Sequence, residues 1–144
     1  MIRAATDLDA GRIGGILSDH FARTDWLPSI HTKAEVIHYC GHMISNGWVH
    51  VHEDQHITGF IALRKNDILA LYVDLSDQRR GIARSLVEFL QTQRTSLSAW
   101  VHQYNTAACA FYASLGFNPL ATSNGDHNDE GLPDIHFRWE RLAS

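Results

Sequence analysis

The sequence predicts an α+β fold, with a twisted and mostly antiparallel sheet of about six to seven strands, one central parallel pair and about four helices on its faces. Strand-like and helix-like segments alternate along the whole of the 144 residues. Three strand-like runs follow one another closely between residues 48 and 73, which predicts an antiparallel meander. Residues 68–101 have the order strand, helix, strand, which predicts a parallel pair with a right-handed crossover.

The first third of the chain predicts one short strand and two helices. Residues 2–5 are the strand candidate, and Thr6 with Asp9 has the spacing of a capping box that opens the first helix. The apolar face of this helix is expected to carry Leu8, Ile13, Ile16 and Leu17. A second capping box, Thr32 with Glu35, opens a helix that ends at the Asn-Gly pair of residues 46 and 47.

The remaining two thirds predict six more strands and two more helices. The strands are expected at residues 48–52, 57–63, 68–73, 97–101, 119–122 and 135–140. One helix runs to about residue 94 with an apolar stripe, and the other covers residues 106–115. No internal repeat, low-complexity tract or long linker divides the chain, so we expect one domain over residues 1–144.

Composition and charge exclude several classes of protein. Hydrophobic residues make up 44% of the chain and charged residues 19%, which excludes a disordered protein. The net charge of -4 argues against electrostatic binding to nucleic acid or to an anionic membrane. Apolar runs are far too short to span a bilayer, and the first residues lack the apolar core of a secretion signal. We therefore expect a soluble cytoplasmic protein in which Cys40 and Cys109 are reduced thiols.

Residues 78–84 combine a glycine, a small residue and three arginines where a strand leads into a helix. The N–H groups of a first helical turn lack partners within the helix, and the helix dipole adds partial positive charge. Gly81 and Ala83 leave room for a phosphate oxygen beside the backbone. Positive charge comes from Arg79, Arg80 and Arg84. The segment favours an anion site, although a strand-to-helix turn with a solvated basic face has the same pattern.

A second motif strengthens this interpretation. Gln78, Gly81 and Ala83 form a Q-x-x-G-x-A loop, and the later segment NTAACAFYASLGF begins at Asn105. Its matched positions are Asn105, Ala108, Phe111, Tyr112, Gly116 and Phe117. In this pair of motifs the chain resembles the GNAT superfamily of N-acetyltransferases, in which such a loop binds acetyl-coenzyme A (acetyl-CoA) and such a segment completes the site. The order of the elements is also similar to the GNAT fold, so the resemblance covers nearly the whole chain.

The resemblance implies where acetyl-CoA binds. Backbone N–H groups would hold its pyrophosphate at Arg79, Gly81, Ile82, Ala83 and Arg84. Gln78 would position this loop. The pantetheine arm would lie between two diverging strands and pair with the backbone of the first one at Leu71 and Val73. Asn105 would contact the pantetheine or the pyrophosphate.

Tyr112 is the residue that the resemblance and the chemistry together assign to catalysis. When an amine attacks the acetyl group, coenzyme A leaves as a thiolate, and a phenol with a pKa of about 10 can supply the proton. The alternative role for Tyr112 is a core aromatic that closes its helix against the sheet. No sequence pattern identifies the residue that acts as the general base for the amine. His102 and Asp74, each just past a strand beside the gap, are candidates, with a surface position as the alternative.

Metal ligation and acceptor binding have weaker signals. His38 with His42, and His50 with His52, have ligand-like spacing but no third ligand, so no metal is expected. Four carboxylates of the C-terminal part either attract a cationic amine or form a solvated loop: Asp126, Asp129, Glu130 and Asp134. An apolar loop around Trp26, Leu27 and Pro28 is the other expected wall of the acceptor site.

Taken with the resemblance, these patterns favour an acetyl-CoA-dependent N-acyltransferase in which a primary amine attacks directly in a ternary complex. The acceptor would be a small-molecule or peptide amine, and a homodimer is left open. Cys40 and Cys109 have no partner base at a recognisable spacing, which disfavours an acyl-enzyme. The alternative is a non-catalytic coenzyme A-binding sensor or interaction protein of the same fold.

Overall fold

Seven strands form one sheet in the computed structural model of the chain, which describes residues 1–24, 31–128 and 130–142. The strands are β1 (Ile2–Ala4), β2 (Val49–Glu53), β3 (Ile57–Arg64), β4 (Asp67–Val73), β5 (Ser96–His102), β6 (Asn118–Ser123) and β7 (Asp134–Glu140). Their order across the sheet is β1-β2-β3-β4-β5-β7-β6. Neighbouring strands are antiparallel except β4 and β5, which are parallel. The predicted mixed sheet with a central parallel pair is confirmed.

Helices cover both faces of this sheet. They are α1 (Ala10–Arg23), α2 (Lys33–Ser45), α3 (Ile82–Gln93) and α4 (Thr106–Ser114). α1 and α2 enclose one core against β2, β3 and β4, with Val51 and Phe60 fully buried. α3 and α4 enclose the second core on the opposite face, around Leu86, Leu97 and Phe117. None of the helices in the described residues is long and apolar enough to cross a membrane.

The element boundaries lie close to those that the sequence predicts, with one difference at the start of α1. Asp7–Asp9 forms a turn of 3₁₀ helix, and α1 begins at Ala10. The Thr6 N–H donates to the Asp9 carboxylate at 2.8 Å, as the capping box predicts. Leu8 was expected on the apolar face of α1, but it is 95% exposed. The prediction was wrong because the tighter turn places Leu8 on a different side of the axis from the α-helical positions that follow.

β4 and β5 run side by side only at their first residues. The register pairs Asp67 with Ser98 and Ile68 with Ala99, and beyond these pairs no residue of β4 is paired with β5. The Ser98 hydroxyl also donates to the Asp67 carboxylate at this closed end. From here the strands diverge toward their C-terminal ends. The resulting gap in the middle of the sheet, called the wedge below, is the feature that positions the candidate site.

Candidate active site

The wedge opens into a cleft of about 800 Å³ that is lined from both faces of the sheet. On the α3–α4 face the lining comes from the connection between β4 and α3, from the first turn of α3 and from α4. On the α1–α2 face it comes from the end of α1, from β4 and β5, and from the connection between β6 and β7. A molecule held on one face can therefore meet a molecule held on the other. Clefts of this size are typical of small-molecule sites.

The first turn of α3 faces the cleft without a side-chain cap. Gly81 is the N-cap residue, and its φ of 77° lies in the left-handed region. The Ser85 N–H donates to the Gly81 carbonyl, so the N–H groups of Ile82, Ala83 and Arg84 have no acceptor within the helix. A Cβ on Gly81 would meet no protein atom within 4 Å. The helix start thus offers backbone donors and open space to an anion.

Two of the three arginines in this loop reach the cleft. Arg79, with a φ of 65°, and Arg84 both line it. The Arg80 guanidinium instead donates to Asp77 at 2.8 Å and to Asp54 at 2.9 Å. The hydrogen bond from Arg80 lowers the pKa of the Asp54 carboxyl to about 2. Arg80 therefore anchors the loop to the connection between β2 and β3, and the prediction that all three arginines add positive charge at the anion site is wrong for Arg80.

Backbone groups of β4 point into the wedge at alternate residues. The Asp74 N–H donates to the Thr58 carbonyl at 2.8 Å, which continues the antiparallel ladder between β3 and β4. Residues that bond to the partner strand alternate along such a ladder, so the backbone of Tyr72 also faces β3. The N–H and C=O groups of Leu71 and Val73 then face the side from which β5 has separated. These are the two positions that the resemblance to GNAT proteins implies for the pantetheine arm.

Asn105 and Gln78 also line the cleft. Asn105 is the N-cap residue of α4, and its side-chain oxygen accepts a hydrogen bond from the Ala108 N–H at 3.0 Å. Asn105 was expected to make a cofactor contact only, and this capping role was not predicted, although Asn is a favoured N-cap residue. With the oxygen committed to α4, the amide nitrogen is the group that can serve a ligand.

Tyr112 has its ring in the core and also lines the cleft. The residue is 6% exposed, and its ring centroid lies 5.1 Å from that of Phe117 and 6.2 Å from that of Phe137. Burial raises the pKa of its hydroxyl above the ordinary phenol value, so the group stays protonated at neutral pH. The core role that the sequence left as an alternative is therefore present, and it is compatible with proton donation from the hydroxyl.

An aromatic wall bounds the cleft on the α1–α2 face. The His20 ring lies 4.6 Å from the Tyr72 ring, and Phe21 lies 6.4 Å from Tyr72. Burial lowers the pKa of His20, which favours an uncharged imidazole at neutral pH. Burial also raises the pKa of Tyr72, and the negative charge of Glu130 raises it further. This wall was not predicted from the sequence, although the alternation of side chains along β4 indicates that Tyr72 lies on this face.

His102 and Glu130 meet at the same mouth of the cleft. Both residues line it, and His102 Nε2 lies 3.7 Å from Glu130 Oε1. Val101 is buried in the α3–α4 core, so the alternation of β5 directs the side chain of His102 toward the α1–α2 face. Of the two base candidates from the sequence, His102 is thus beside the wedge on the face that carries Tyr72.

Asp74, the other base candidate, is held in an ion pair. Its carboxylate lies 2.7 Å from an Arg12 nitrogen and accepts a hydrogen bond from the Ser76 N–H at 2.9 Å. The hydrogen bonds from Ser76 and then from Arg12 lower the pKa of Asp74. A carboxylate stabilised in its ionised form is a poor proton acceptor. The suggestion that Asp74 acts as the base is therefore not supported by its surroundings.

The carboxylates of the C-terminal part differ in their surroundings. Asp134 is 2% exposed, and Ser123, His127 and Asn128 donate hydrogen bonds to it. Burial alone would raise its pKa, but these hydrogen bonds lower it overall. Asp134 lines the cleft but is committed to these hydrogen bonds, whereas Glu130 lines it beside His102. The expected acceptor wall at Trp26, Leu27 and Pro28 and the carboxylate Asp129 lie outside the described residues.

The described histidines and cysteines form neither a metal cluster nor a thiolate site. Within residues 1–24, 31–128 and 130–142, no three His, Cys, Asp or Glu side chains are arranged to hold a metal ion. His52 Nδ1 lies 2.7 Å from the Thr58 hydroxyl, so this histidine belongs to the packing of β2 and β3. Cys40 and Cys109 are free thiols. Burial raises the pKa of Cys40 to about 11 and also raises that of Cys109.

Comparison with known proteins gives a family and a set of relatives. The model of the acetyltransferase (GNAT) domain matches residues 44–119. The peptidyl-lysine N-acetyltransferase YjaB of Salmonella typhimurium is 33% identical over 86 residues, which cover 60% of this chain and 58% of that protein. The peptidyl-lysine N-acetyltransferase YiaC of Escherichia coli is 32% identical over 88 residues, which cover 60% of this chain and 59% of that protein. The chain thus spans less than two thirds of the length of these curated relatives.

Solved structures resemble the chain over nearly its whole length. The apo form of YjaB from Escherichia coli has a TM-score of 0.81 and 21% identity, covering 99% of this chain and 98% of that one. A putative acetyltransferase, yncA of Salmonella typhimurium, solved with its cofactor acetyl-CoA, has a TM-score of 0.74 and 20% identity, covering 100% of this chain and 95% of that one. At these identities the structures support the fold.

Proposed function

Because the chain belongs to the acetyltransferase (GNAT) family, we propose that it transfers an acetyl group from acetyl-CoA to a primary amine. The amine attacks directly while both molecules are bound. The donor occupies the α3–α4 face of the cleft and reaches through the wedge, and the acceptor approaches from the α1–α2 face. We further propose that residues 1–144 act as one domain.

The observation that carries this proposal is that the uncapped start of α3 and the unpaired backbone of β4 face the same cleft. Unpartnered N–H groups at a helix start bind diphosphates, and the open space at Gly81 fits a phosphate oxygen close to the backbone. The loop residues that would hold the diphosphate are Gln78, Arg79, Gly81, Ile82, Ala83 and Arg84. Leu71 and Val73 would pair with the amides of the pantetheine arm, as an added strand pairs with a sheet edge. Acetyl-CoA, when bound, supplies its acetyl group as an activated thioester.

The residues at the centre of the wedge account for the chemistry in this proposal. Tyr112 keeps its proton at neutral pH and donates it to the leaving thiolate as a general acid. The Val73 N–H stabilises negative charge that develops on the carbonyl oxygen. Direct transfer is favoured over an acyl-enzyme because burial raises the pKa of both Cys40 and Cys109, so neither is a thiolate at neutral pH.

The proposed acceptor is a lysine side chain of a peptide or another primary amine with an alkyl arm. The names of the relatives, which are peptidyl-lysine N-acetyltransferases, support this class. The α1–α2 mouth suits such a group, since aromatic rings at His20, Phe21 and Tyr72 can pack on an alkyl chain and Glu130 can attract its ammonium.

A second candidate function is a coenzyme A-binding protein without catalysis. The burial of Tyr112 in the core favours this candidate. At 6% exposed, its ring stabilises the fold, and this is a sufficient reason for a large aromatic residue here even if its hydroxyl donates no proton. In this case the loop at Gly81 would still bind the cofactor.

Calorimetry and an acetylation assay test the two candidates together. Acetyl-CoA is titrated into the full chain, and thiol release is then followed with a panel of lysine peptides and small primary amines. Binding with acetyl transfer, checked by the mass increase of the acceptor, is the expected result. Binding without transfer to any acceptor would favour the non-catalytic candidate, and absence of binding would contradict both.

A further inference from the structure

A glutamate and a histidine from different parts of the chain converge where the acceptor would enter. His102 is the last residue of β5, at the open end of the wedge, and Glu130 comes from the connection between β6 and β7. Their side chains are 21% and 23% exposed, so each is shielded but reachable from the cleft. Tyr72 lines the same cleft, and the charge of Glu130 contributes to the raised pKa of its hydroxyl. Three polar side chains thus border one small volume.

Glu130 keeps its negative charge available to a ligand. In the described part of the chain, no lysine or arginine forms an ion pair with it, whereas Arg3 and Arg12 pair with other carboxylates. Asp134, the other carboxylate of the cleft in this region, already receives hydrogen bonds from three side chains. A cation that enters this mouth is therefore drawn to Glu130.

The distance between the two groups suits one nitrogen between them. At 3.7 Å, His102 Nε2 and Glu130 Oε1 are too far apart for a direct hydrogen bond. A primary ammonium that makes a charge-assisted contact of about 2.8 Å to each atom spans this separation. The nitrogen would then be bonded to a carboxylate on one side and an imidazole on the other.

We propose, on the basis of the acetyl-transfer function proposed above, that Glu130 binds the ammonium group of the acceptor and that His102 Nε2 removes its proton. Glu130 is a binding and positioning residue in this scheme, and His102 is the general base. The need for a base is clear, because an amine with a pKa of about 10.4 is uncharged in only about one molecule in a few thousand at neutral pH.

With these roles, the protons and electron pairs of the reaction balance. The ammonium gives one proton to His102, and the freed lone pair forms the C–N bond to the acetyl carbon. The C–S bond breaks, and the leaving thiolate takes the proton of Tyr112. The new amide nitrogen loses its surplus proton to solvent, Tyr112 regains one from solvent, and His102 releases the first proton. The net products are the acetylated amine, free coenzyme A and one proton.

Titratable groups surround His102 on several elements. They are Glu130 and His127 of the β6–β7 connection, Asp134 of β7, Tyr72 of β4, Cys109 of α4 and His20 of α1. Among these, Glu130 is the carboxylate that lies within 4 Å of the imidazole. Glu130→Gln therefore removes the charge that would hold the ammonium beside His102 and leaves the imidazole in place.

Glu130→Gln and a matched control test the binding role. With a lysine peptide as acceptor, Glu130→Gln should raise the KM for the peptide about tenfold. The Kd for acetyl-CoA should not change. Asp126→Asn removes an exposed carboxylate from the same connection and should leave the KM for the peptide at the wild-type value. Equal effects of the two substitutions would overturn the assignment of Glu130.

His102→Gln and a second control test the base. At neutral pH this substitution should lower kcat for the lysine peptide about 10²-fold, since general bases contribute roughly 10² to 10⁴. The deficit should shrink as the pH approaches about 10, where the amine arrives uncharged. It should also be small for a weakly basic amine that is uncharged at neutral pH. His38→Gln, on the exposed side of α2, should behave as wild type.

If His102→Gln lowers kcat by the same factor at every pH and for both amines, the assignment of His102 as the base is overturned. Wild-type activity of this variant would overturn it as well. If the variant does not fold, His102→Asn replaces it in the same comparison of the two amines across pH. Wild-type protein that acetylates no amine would instead refute the proposed function, and with it this inference.

Discussion

Tyr112 contributes to the fold through its ring and, in the proposed mechanism, to turnover through its hydroxyl. The ring packs with Phe117 and Phe137 in the core on the α3–α4 face. The hydroxyl stays protonated because burial raises its pKa. The two roles involve different atoms, so a substitution that removes only the oxygen separates them.

Tyr112→Phe should lower kcat about 10²-fold while the Kd for acetyl-CoA and the Tm change little, because the packed ring is retained and only the proton donor is lost. Steady-state kinetics, calorimetry and thermal unfolding measure the three quantities. Tyr104→Phe, at a tyrosine that is 58% exposed, is the matched control and should keep wild-type kinetics. A parallel loss of affinity and turnover in Tyr112→Phe would indicate that its role is structural.

Gly81 allows a second prediction with a close internal control. Gly81 and Gly47 have φ angles of 77° and 74°, and a Cβ on either would meet no atom within 4 Å. Replacement by Ala should therefore cost similar backbone strain at the two sites. Gly81→Ala should weaken acetyl-CoA binding at least tenfold, since its methyl group occupies the space assigned to a phosphate oxygen. Calorimetry on both variants should show near wild-type affinity for Gly47→Ala; similar losses in both would argue against the loop as the diphosphate site.

Residue-level prediction from the sequence worked where a local pattern carries the chemistry. The loop from Gln78 to Arg84 was found because glycine and arginine spacing at a helix start has a local physical meaning. The aromatic wall of Tyr72 and His20 was not predicted, because these residues come together only when α1 packs on β4. Glu130 was found as one charge among four. Both Glu130 and Asp134 line the cleft, and the hydrogen bonds that three side chains donate to Asp134 distinguish the two.

The backbone hydrogen bonding of β4 should change more than that of any other element when the donor binds. Its Tyr72 and Asp74 amides face β3, whereas the Leu71 and Val73 amides face the wedge. An isolated row of backbone groups of this kind is a template for an added strand.

Amide hydrogen exchange gives a prediction at single-residue resolution along β4. Acetyl-CoA should slow the exchange of the Leu71 and Val73 amides about tenfold or more, because the pantetheine arm would accept or donate hydrogen bonds there. The Asp74 amide, already bonded to Thr58, should change little. ADP carries the diphosphate without the arm and is the control. Equal protection by ADP and acetyl-CoA would contradict strand-like binding of the arm.

The elements themselves were predictable to a large extent from periodicity and caps. The capping box at Thr32 and Glu35 forms both of its hydrogen bonds, and the meander from β2 to β4 follows from the short turns. The wedge is different, since the sequence of residues 67–73 shows a strand but not the point at which its neighbour leaves it. That divergence was implied by the resemblance to GNAT proteins, and no local pattern within the strand indicates it.

At the scale of the whole molecule, Arg3 joins three separate segments. From β1 it donates to Asp9 at 2.8 Å, next to the start of α1, and to Glu53 at the end of β2 at 2.9 Å. The hydrogen bonds from Arg3 lower the pKa of both carboxyls. Carboxyls with a lowered pKa in the folded state add stability above their unfolded pKa values, and this stability is lost as the pH falls through the folded values.

Arg3→Met should therefore lower the Tm at pH 7 by about 5 °C, and the difference from wild type should shrink as the pH falls below about 4. Thermal unfolding followed by circular dichroism across this range measures it. Arg138→Met removes an exposed pair with Glu140 on a single strand and should have little effect at any pH. A difference for Arg3→Met that is constant with pH would show that lost packing, not charge, is responsible.

A small rotation of β4 at the closed end of the wedge would displace the other end of the strand by a larger distance. β4 extends about 17 Å from its last pair with β5, at Ile68, to Val73, so a rotation of about 5° there would move the far end by roughly 1.5 Å. Misplacement of reacting atoms by about 1 Å can cost a hundredfold in rate. The hydrogen bond between the Ser98 hydroxyl and Asp67 lies at this closed end. Substitutions of Ser98 or Asp67 would therefore alter turnover by tilting β4, although neither residue contacts a substrate.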